Sequence, residues 1–473
     1  MRGLSSCAAI AAFALVAAVL WAPAGASTDA WSAAATLASC GATSAPKVVF
    51  PFSSPSARSG EGAVLWLAGP CGGAGRAVPT IDVAALDSSD EPGAPRALLS
   101  GAAARTSFVG PLYAFGTTHG QIVAIAGATG TAGAAPQAVA AEGFANGTLA
   151  SLTPLGAPDT PLATMDGFIG DADVATVTGA SGGGFEIAVR AQRHYAKAFG
   201  SRRVSFAVGA AKITALALGM DFRADRLVVW AQGGELWARY VTNDGRVGAR
   251  QLLGPTGYDP QVSTVLSDDH HAFVIWTDEP APGAGGATTV LLAHSGFGPR
   301  FHGTQTLASF TEPPGVRLTA GAVAAERLSS EGVALLWPAI ADGNYVVDAA
   351  GATTSGLQFL STLAEPGQDL RLGAVATGPD NEIAVLVELA PRTATGFDQS
   401  HQEILATRSN VVHGTPSLGF GPLVELAPSG PNVDPAVAVD PDSDTALAAW
   451  QTDVGGLSQV EYSIGAGDVA GAG

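Results

Sequence analysis

The stretch HHAFVIWTDE, from His270 to Glu279, runs through apolar residues to a tryptophan and then turns abruptly to acid. Shorter versions of this phrase, each ending in tryptophan, are AVLW at 63–66, LVVW at 227–230, ALLW at 334–337 and LAAW at 447–450. Five of the eight tryptophans therefore share one sequence context. A phrase that returns along a whole chain indicates a repeat architecture.

Three further apolar phrases, QIVAIAGA, DVATVTGA and EIAVLVEL, fill the gaps between these tryptophans. The resulting eight anchor positions are Trp66, Ala126, Thr178, Trp230, Trp276, Trp337, Val387 and Trp450. Their mean spacing of about 55 residues is close to the length of a four-stranded propeller blade with loop insertions. Eight anchors predict eight blades, and seven blades are the alternative.

The unit around Trp230 shows the strand pattern most clearly. The segments KITALALG, RLVVWAQ, ELWARYVT and RVGARQLLG are separated by the turn-forming MDFRAD, Gly-Gly and NDG. The second segment is almost entirely apolar, as expected of a strand that is buried on both faces. After residue 26, no segment has both the length and the amphipathic pattern of a helix. The fold prediction is an all-β β-propeller of four-stranded blades.

The last unit lacks a fourth strand, and the N-terminus offers one. WSAAATLAS at 31–39 is similar to fourth strands elsewhere, such as GTQTLAS at 303–309 and GPLVELA at 421–427. We expect the mature N-terminal strand to complete the last blade and close the ring, which removes two exposed sheet edges. Residues 27–466 would then form a single propeller domain, and residues 467–473 a flexible tail.

This succession of strand, short turn and xxxW strand resembles the secreted bacterial β-propellers across residues 27–466. The sequence has no S-x-D-x-G-x-T-W box of the sialidase type, no recurring G-H and W-D signature of WD40 repeats, and no kelch di-glycine pattern. The resemblance therefore implies a fold and not a reaction.

The first 26 residues have the layout of a secretory signal peptide. Arg2 precedes an apolar run at 8–20 and a small-residue AGA that ends at Ala26. We expect cleavage after Ala26, no membrane span in the mature chain, and a location that is extracellular or associated with the cell envelope. In an oxidising compartment Cys40 and Cys71 would form a disulfide. LASC at 37–40 leaves lipid anchoring at Cys40 as an alternative.

The formal net charge of −18 argues against nucleic acid and anionic lipid as partners, because electrostatic attraction would have the wrong sign. The partner that we expect is an unidentified extracellular protein or glycan, bound by a monomer.

Three short motifs have the letters of catalytic or metal-binding sites but are better explained as turns. GASGG at 179–183 precedes an alternating segment and predicts a hairpin, not a nucleophilic serine on a strand-to-helix turn. DPDSD at 440–444 lacks the glycine and glutamate of a calcium loop, and DDHH at 268–271 falls at the same turn of another blade. We therefore predict no metal site and no cofactor, with calcium kept as an alternative.

In a propeller, the loops that enter the innermost strands and those that follow the second strands open on one face, around the central channel. The charged residues that enter innermost strands are Asp159, Asp259, Glu312, Arg317, Asp369, Arg371 and Asp434. Those that follow second strands are Asp278, Glu279, Glu388 and Asp453. They are candidate ligand-binding residues, and Tyr258 and Trp237 could stack on a sugar ring.

Two carboxylates can hydrolyse a glycosidic bond, and arginine can bind a carboxylated sugar through two hydrogen bonds. However, Asp precedes Pro at both 259–260 and 434–435, and Asp-Pro is a common turn dipeptide. No residue is therefore singled out as catalytic. The function that we predict is a secreted, non-catalytic binding or scaffold protein. The alternative is a secreted carbohydrate-active enzyme, a glycoside hydrolase or lyase, that uses the channel-mouth carboxylates.

Overall fold

The computed structural model describes most of the chain in short ranges. These are residues 31–38, 41–50, 62–69, 79–100, 103–116, 121–129, 137–144, 147–149, 151–158, 163–168, 171–180, 182–192, 199–200, 203–267, 271–281, 284–296, 298–311, 323–328, 332–353, 356–378, 381–393, 396–412 and 415–466.

These residues contain 35 strands and two short 3-10 helices, at Ala103–Arg105 and Gln399–His401. The strands of the first half are β1 (Ala35–Ala38), β2 (Lys47–Val49), β3 (Ala63–Ala68), β4 (Thr80–Ala85), β5 (Arg96–Ala97), β6 (Ser107–Gly116), β7 (Gln121–Thr129), β8 (Gln137–Phe144), β9 (Thr153–Pro158), β10 (Ala163–Phe168), β11 (Asp171–Gly179), β12 (Phe185–Gln192), β13 (Arg203–Gly209), β14 (Ile213–Met220), β15 (Arg226–Gln232), β16 (Glu235–Val241) and β17 (Gln251–Pro255). Those of the second half are β18 (Val262–Leu266), β19 (Ala272–Asp278), β20 (Thr288–Ser295), β21 (Phe301–Phe310), β22 (Ala324–Arg327), β23 (Val333–Ala341), β24 (Asn344–Thr353), β25 (Gly356–Leu363), β26 (Leu370–Thr377), β27 (Ile383–Leu389), β28 (Arg392–Thr393), β29 (Gly396–Phe397), β30 (Gln402–Val412), β31 (Thr415–Phe420), β32 (Val424–Gly430), β33 (Asn432–Val439), β34 (Ala446–Val454) and β35 (Leu457–Gly465).

The strands form eight antiparallel blades, so the predicted eight-bladed propeller is confirmed. Blades 1 to 6 take four consecutive strands each, from β2–β5 to β22–β25. Blade 7 contains β26, β27, β30 and β31, with β32 also paired to β30, and blade 8 contains β33, β34, β35 and β1. The eight first strands contact one another in a closed ring, which surrounds the central channel.

All eight anchor positions lie on the second strand of a blade, as the repeat predicts. Each of these strands is largely buried, and β15 and β27 are buried at every residue. The reason is that a second strand has a neighbouring blade on each face, so water reaches neither face.

The core consists of eight hydrophobic clusters, one at each interface between neighbouring blades. The tryptophans on second strands pack into the cluster shared with the preceding blade. Trp276 of blade 5 also donates a hydrogen bond from Nε1 to the carbonyl of Pro255 in blade 4, at 2.9 Å. Trp230 of blade 4 lies 5.8 Å from Phe206 of blade 3, measured between ring centroids. The repeated tryptophan therefore joins each blade that has one to the blade before it.

The N-terminal strand closes the ring, as predicted. β1 pairs with β35 of the last blade, with Ala35 opposite Tyr462. Ser32 strengthens this closure, because its amide donates to the carbonyl of Ile464 at 2.8 Å and its carbonyl accepts from the hydroxyl of Ser463 at 2.7 Å. The expected signal peptide, the expected tail at 467–473 and the predicted disulfide between Cys40 and Cys71 lie outside the described residues.

The short motifs fall at turns. GASGG lies at the hairpin between β11 and β12, with Ser181 itself outside the described residues, and DPDSD lies between β33 and β34. DDHH lies between β18 and β19, where only His271 is described. In the part of the chain that the structure describes, no helix has the length and hydropathy of a membrane span.

Ring closure by β1 leads to a test by truncation. Deleting residues 1–38 should lower the melting temperature and promote self-association, because the outer edge of β35 loses its partner and offers free backbone groups to another chain. Deleting only residues 1–30 keeps β1 and is the matched control. Differential scanning calorimetry and size-exclusion chromatography compare the two. Equal melting temperatures and a monomer in both cases would contradict closure by β1.

Candidate functional site

The upper face of the propeller is the end at which first strands begin and second strands end. Register places the predicted residues of blade 7 there, because Arg371 of β26 lies opposite Glu388 of β27. Asp369 lies just before β26, and Asp434 and Asp453 lie in blade 8 at the same end. Asp259 and Asp278 border the first and second strands of blade 5. Asp159, Glu312 and Arg317 lie outside the described residues.

Asp369 is engaged in a tight polar contact between blades 6 and 7. Its carboxylate is buried and accepts a hydrogen bond from the backbone amide of Tyr345 at 2.8 Å. Arg392, on the short β28–β29 hairpin, donates from Nε at 2.8 Å and from Nη2 to the same carboxylate. Hydrogen bonds to Asp369 raise the pKa of Arg392. Asp369 therefore holds the β28–β29 hairpin of blade 7 against β24 of blade 6.

Glu388 is a buried carboxyl that meets residues of two blades. Nη2 of Arg371 lies 3.2 Å from Oε2 of Glu388. Burial raises the pKa of Glu388, and the nearby charge of Asp434 raises it further, while Arg371 and hydrogen bonds from Gln402 and the Asp434 backbone oppose the shift. Glu388 of blade 7 and Asp434 of blade 8 thus lie side by side.

Arg371 is only partly satisfied by this ion pair. Its guanidinium carbon lies 5.3 Å from the centre of the Phe397 ring, and its side chain is 11% exposed. Nε and Nη1 are buried and have no hydrogen-bond partner, and the same is true of Oε1 of Gln402. Buried donors without acceptors are costly, so this corner of the upper face retains hydrogen-bonding capacity.

Asp434 and Asp259 both precede a proline, but their backbone conformations differ. The φ of Asp434 is +54°, in the left-handed region, whereas Asp259 before Pro260 is not left-handed. Pro435 packs directly on Gly373 of blade 7, where a side chain would collide with it, and this contact holds Asp434 beside Glu388. Asp434 also interacts with Lys47 of blade 1, on the side away from Glu388. Burial lowers the pKa of Lys47, and the charge of Asp434 opposes that shift.

Two cations and two carboxyls from three consecutive blades therefore converge at the upper end of the channel. We call Lys47, Arg371, Glu388 and Asp434 the mouth cluster. Sequence reasoning found three of these residues and missed Lys47, together with Arg392 and Gln402. A signal for Arg392 was present, because the interval from Val387 to Trp450 is the longest between anchors and contains the inserted β28–β29 hairpin.

The other predicted residues lie on the rim. Tyr258, beside Asp259, is 62% exposed, yet its backbone amide donates to the carbonyl of Glu279 at 2.9 Å. Gly257 permits this close approach, since a Cβ there would overlap the Glu279 backbone. In blade 8, Asp453 is exposed and adjoins the hairpin tip formed by Val454 and Leu457, which are 53% and 49% exposed.

Burial raises the pKa of Asp278, at the end of β19. Together these side chains form the rim set: Tyr258, Asp259, Asp278, Asp453, Val454 and Leu457.

The lower end of the channel holds a second polar group that the sequence did not suggest. Oδ2 of Asp166, in β10, accepts from the amide of Met220 at 2.7 Å. Nη2 of Arg327 donates to the carbonyls of Met220 and Leu266. Three hydrogen bonds thus link the first strands of four blades: one joins blade 3 to blade 4, and two join blade 6 to blades 4 and 5.

Glu326 lies next to Arg327 on β22. Burial raises the pKa of Glu326 to about 8, the charge of Asp166 adds to this shift, and Arg327 opposes it. Asp166 and Glu326 belong to blades that are not adjacent, so their interaction crosses the channel.

Among the described residues, no three His, Cys, Asp or Glu side chains gather closely enough to hold an ion. Calcium binding remains an alternative based on the sequence.

No protein-family model matches the sequence, and no curated protein matches it. Solved structures do match. A sialidase from Trypanosoma rangeli in complex with the inhibitor DANA is 8% identical with a TM-score of 0.34, over 67% of this chain and 56% of the sialidase. The polysaccharide lyase Uly1 is 9% identical with a TM-score of 0.42, over 74% of this chain and 88% of the lyase.

An α-L-arabinanase from Penicillium chrysogenum, complexed with arabinobiose, is 9% identical with a TM-score of 0.33, over 54% of this chain and 93% of the arabinanase. The chain spans little more than half the length of the sialidase. At these identities the similarity concerns the fold alone.

The contact between Asp369 and Arg392 can be tested by stability. Arg392→Ala should lower the free energy of unfolding by about 2 kcal/mol at neutral pH, because it leaves a buried carboxylate with only the Tyr345 amide as partner. Arg246→Ala removes an ion pair in which Arg246 is 85% exposed, and it should cost less than about 1 kcal/mol. Urea unfolding measures both variants. Equal losses would show that Asp369 does not depend on Arg392.

Glu326 should make stability fall as pH rises. Its pKa is about 8 in the folded protein against an ordinary 4.5, so the folded state holds the proton more tightly than the unfolded state. The stabilisation that protonated Glu326 gives the folded state is complete below pH 4.5 and is lost as pH rises through 8.

Glu326→Gln, which mimics the protonated carboxyl, should reduce the decline in unfolding free energy over that range. Asp442→Asn, an exposed acid on the lower face, is the control. An unchanged pH profile in the Gln variant would rule out a raised pKa for Glu326.

Proposed function

We propose that the protein is an exported, non-catalytic binding propeller that docks a macromolecular partner on its upper face. The observation that carries this proposal is the separation of the upper-face residues into two groups. The deepest acids, Asp369 and Glu388, are engaged by arginines and backbone amides, whereas the exposed contact groups stand on the rim.

The position of the rim set favours a large partner. Tyr258, Asp259 and Asp278 belong to blade 5, and Asp453, Val454 and Leu457 belong to blade 8, three blades further round the ring. A ligand that touches both groups must reach across the channel, which a single sugar unit cannot do. The rim combines exposed apolar side chains with carboxylates, so we propose a protein partner that offers apolar and cationic groups.

Backbone pairing at the two rim loops supports a docking role. The Tyr258 loop is held by the Glu279 carbonyl, and Val454 pairs with Leu457 across the Gly455-Gly456 turn. Loops that are already ordered lose little conformational entropy on binding. The signal-peptide layout of residues 1–26 supports an encounter at the cell exterior.

A carbohydrate-active enzyme is the second candidate, and the mouth cluster favours it. Glu388 has a raised pKa and lies beside Asp434, which is exposed, so the pair could supply the acid and the base of glycoside cleavage. Arg371, whose side chain is 11% exposed, would supply the cation for a carboxylated substrate.

Site-specific photo-crosslinking tests the docking proposal. A crosslinking residue at position 258 or 457 should capture one and the same partner from both positions in the cell envelope of the producing organism. Position 222 is the matched control, because Phe222 is 46% exposed on the opposite face. Capture at all three positions, or at none, would refute docking on the upper face.

The enzyme candidate has its own measurement. Wild-type protein is incubated with neutral and uronate-containing polysaccharides, and new reducing ends and unsaturated products are quantified. If the protein is an enzyme, Glu388→Gln and Asp434→Asn should reduce turnover by at least about a hundredfold, whereas Asp442→Asn should not. Turnover that follows this pattern would replace the binding proposal.

A further inference from the structure

The outer groove between blades 3 and 4 contains two arginines in an otherwise acidic protein. Arg239 lies on β16 and Arg250 just before β17, and the pairing of Ala238 with Gln251 makes them neighbours on adjacent strands. Trp237, two residues from Arg239, projects from the same face of β16. Phe206 of blade 3 forms the opposite wall. We call Phe206, Trp237, Arg239 and Arg250 the arginine groove.

Aromatic rings hold both guanidinium groups in place. The Cζ atom of Arg250 lies 3.7 Å from the centre of the Trp237 ring, and Cζ of Arg239 lies 5.0 Å from the centre of the Phe206 ring. Phe206 is buried against Trp230, so it is a fixed part of the core. Arg250 itself is exposed. The groove thus presents two oriented, planar cations to solvent.

Among the described residues, neither arginine has a carboxylate partner. No hydrogen bond or ion pair within that part of the chain involves Arg239 or Arg250, and Nε of Arg239 is buried without an acceptor there. The pKa of Arg239 is lowered by burial and by the charge of Arg250. The chain has 41 acidic residues against 23 lysines and arginines, so an acid could readily have been placed here.

Two fully buried arginines of the propeller show the usual solution. Arg226 is paired with Asp173 in the neighbouring blade, and Arg408 is paired with Glu382. In both cases burial of the cation is balanced by a carboxylate, as the cost of an isolated buried charge requires. Arg239 and Arg250 instead repel each other, and the repulsion would be relieved by an anion between them.

The sequence just before Phe206 is also basic. Residues 190–203, RAQRHYAKAFGSRR, contain five lysines and arginines and no acid. Of these, Arg190 and Arg203 are described. They lie on β12 and β13 of blade 3, and Arg203 is paired with Glu186.

We propose that the arginine groove binds the carboxylate or sulfate group of an acidic sugar. Guanidinium groups bind these anions through paired hydrogen bonds, and the edge of Trp237 that Arg250 leaves exposed supplies apolar surface beside them. A long polyanion is disfavoured. Any part of it that extends more than one Debye length, about 8 Å, from the two arginines would be repelled by the acidic remainder of the surface. This site lies on the outside of the ring and is independent of the proposed docking on the upper face.

Isothermal titration calorimetry with defined probes tests the proposal. The probes are a uronate disaccharide, a sulfated disaccharide, a neutral disaccharide and a short single-stranded oligonucleotide. Wild-type protein should bind one or both acidic disaccharides and not the neutral one, and the difference between the two assigns the anion. Arg239→Gln and Arg250→Gln should each weaken this binding by about tenfold or more, since each removes charge-assisted hydrogen bonds.

Arg223→Gln is the matched control, because Arg223 lies 5.0 Å from the Phe222 ring in the same kind of cation–π contact but on the lower face. Its affinity should equal that of wild type. Arg250→Lys, which keeps the charge but loses the planar donor pair, should give intermediate affinity. Because Arg250 is exposed, its variants should keep the wild-type circular dichroism spectrum and melting temperature.

Three results would overturn the proposal: no binding of either acidic disaccharide by wild type, unchanged binding in both Gln variants, or tighter binding of the oligonucleotide than of the disaccharides. Crosslinking from positions 258 and 457 reports on the upper face, so failure of one proposal leaves the other standing.

Discussion

The structure depends on one constraint, the burial of every second strand between two neighbouring blades. An isolated blade would expose both faces of this strand to water, so a blade becomes stable only when it is stacked on others. The eight interface clusters are the result. Alanine and valine on these strands let the blades approach closely, and tryptophan fills the remaining space at five of the eight interfaces.

Stacking also decides how the polar residues are used. Charges that fall between blades need partners. Asp173 of blade 3 pairs with Arg226 of blade 4, and the pair of Asp369 and Arg392 in blade 7 is hydrogen-bonded to the backbone of Tyr345 and Gly343 in blade 6. Charges at the ends of the strands remain available for partners outside the protein. The mouth cluster is intermediate, since Glu388 is paired with Arg371 while donors of that same arginine stay unpartnered. A binding role and a catalytic role therefore draw on the same upper face but on different residues.

The sequence predicted the fold well because the fold is a repeat of local patterns. The anchors identified eight second strands, and the missing fourth strand of the last unit identified β1 as its replacement. The sequence did not predict which side chains pair between blades, because neither periodicity nor spacing shows which residues of neighbouring units are in contact. The Asp-Pro dipeptides illustrate this limit, since only Asp434 takes a left-handed backbone. Net charge gave no sign of the arginine groove, because −18 for the chain conceals two neighbouring arginines without a carboxylate partner among the described residues.

Closure of the ring joins residues that are very far apart in the chain. The hydrogen bond from Ser463 to Ser32 spans 431 residues, and both belong to one blade. Contacts of such separation form late, because a long loop must be closed before they are gained. A chain that emerges N-terminus first must therefore keep β1 unpaired until β35 has followed it. Pairing of β1 with β35 therefore completes the ring last, and the described part of the chain begins and ends at blade 8.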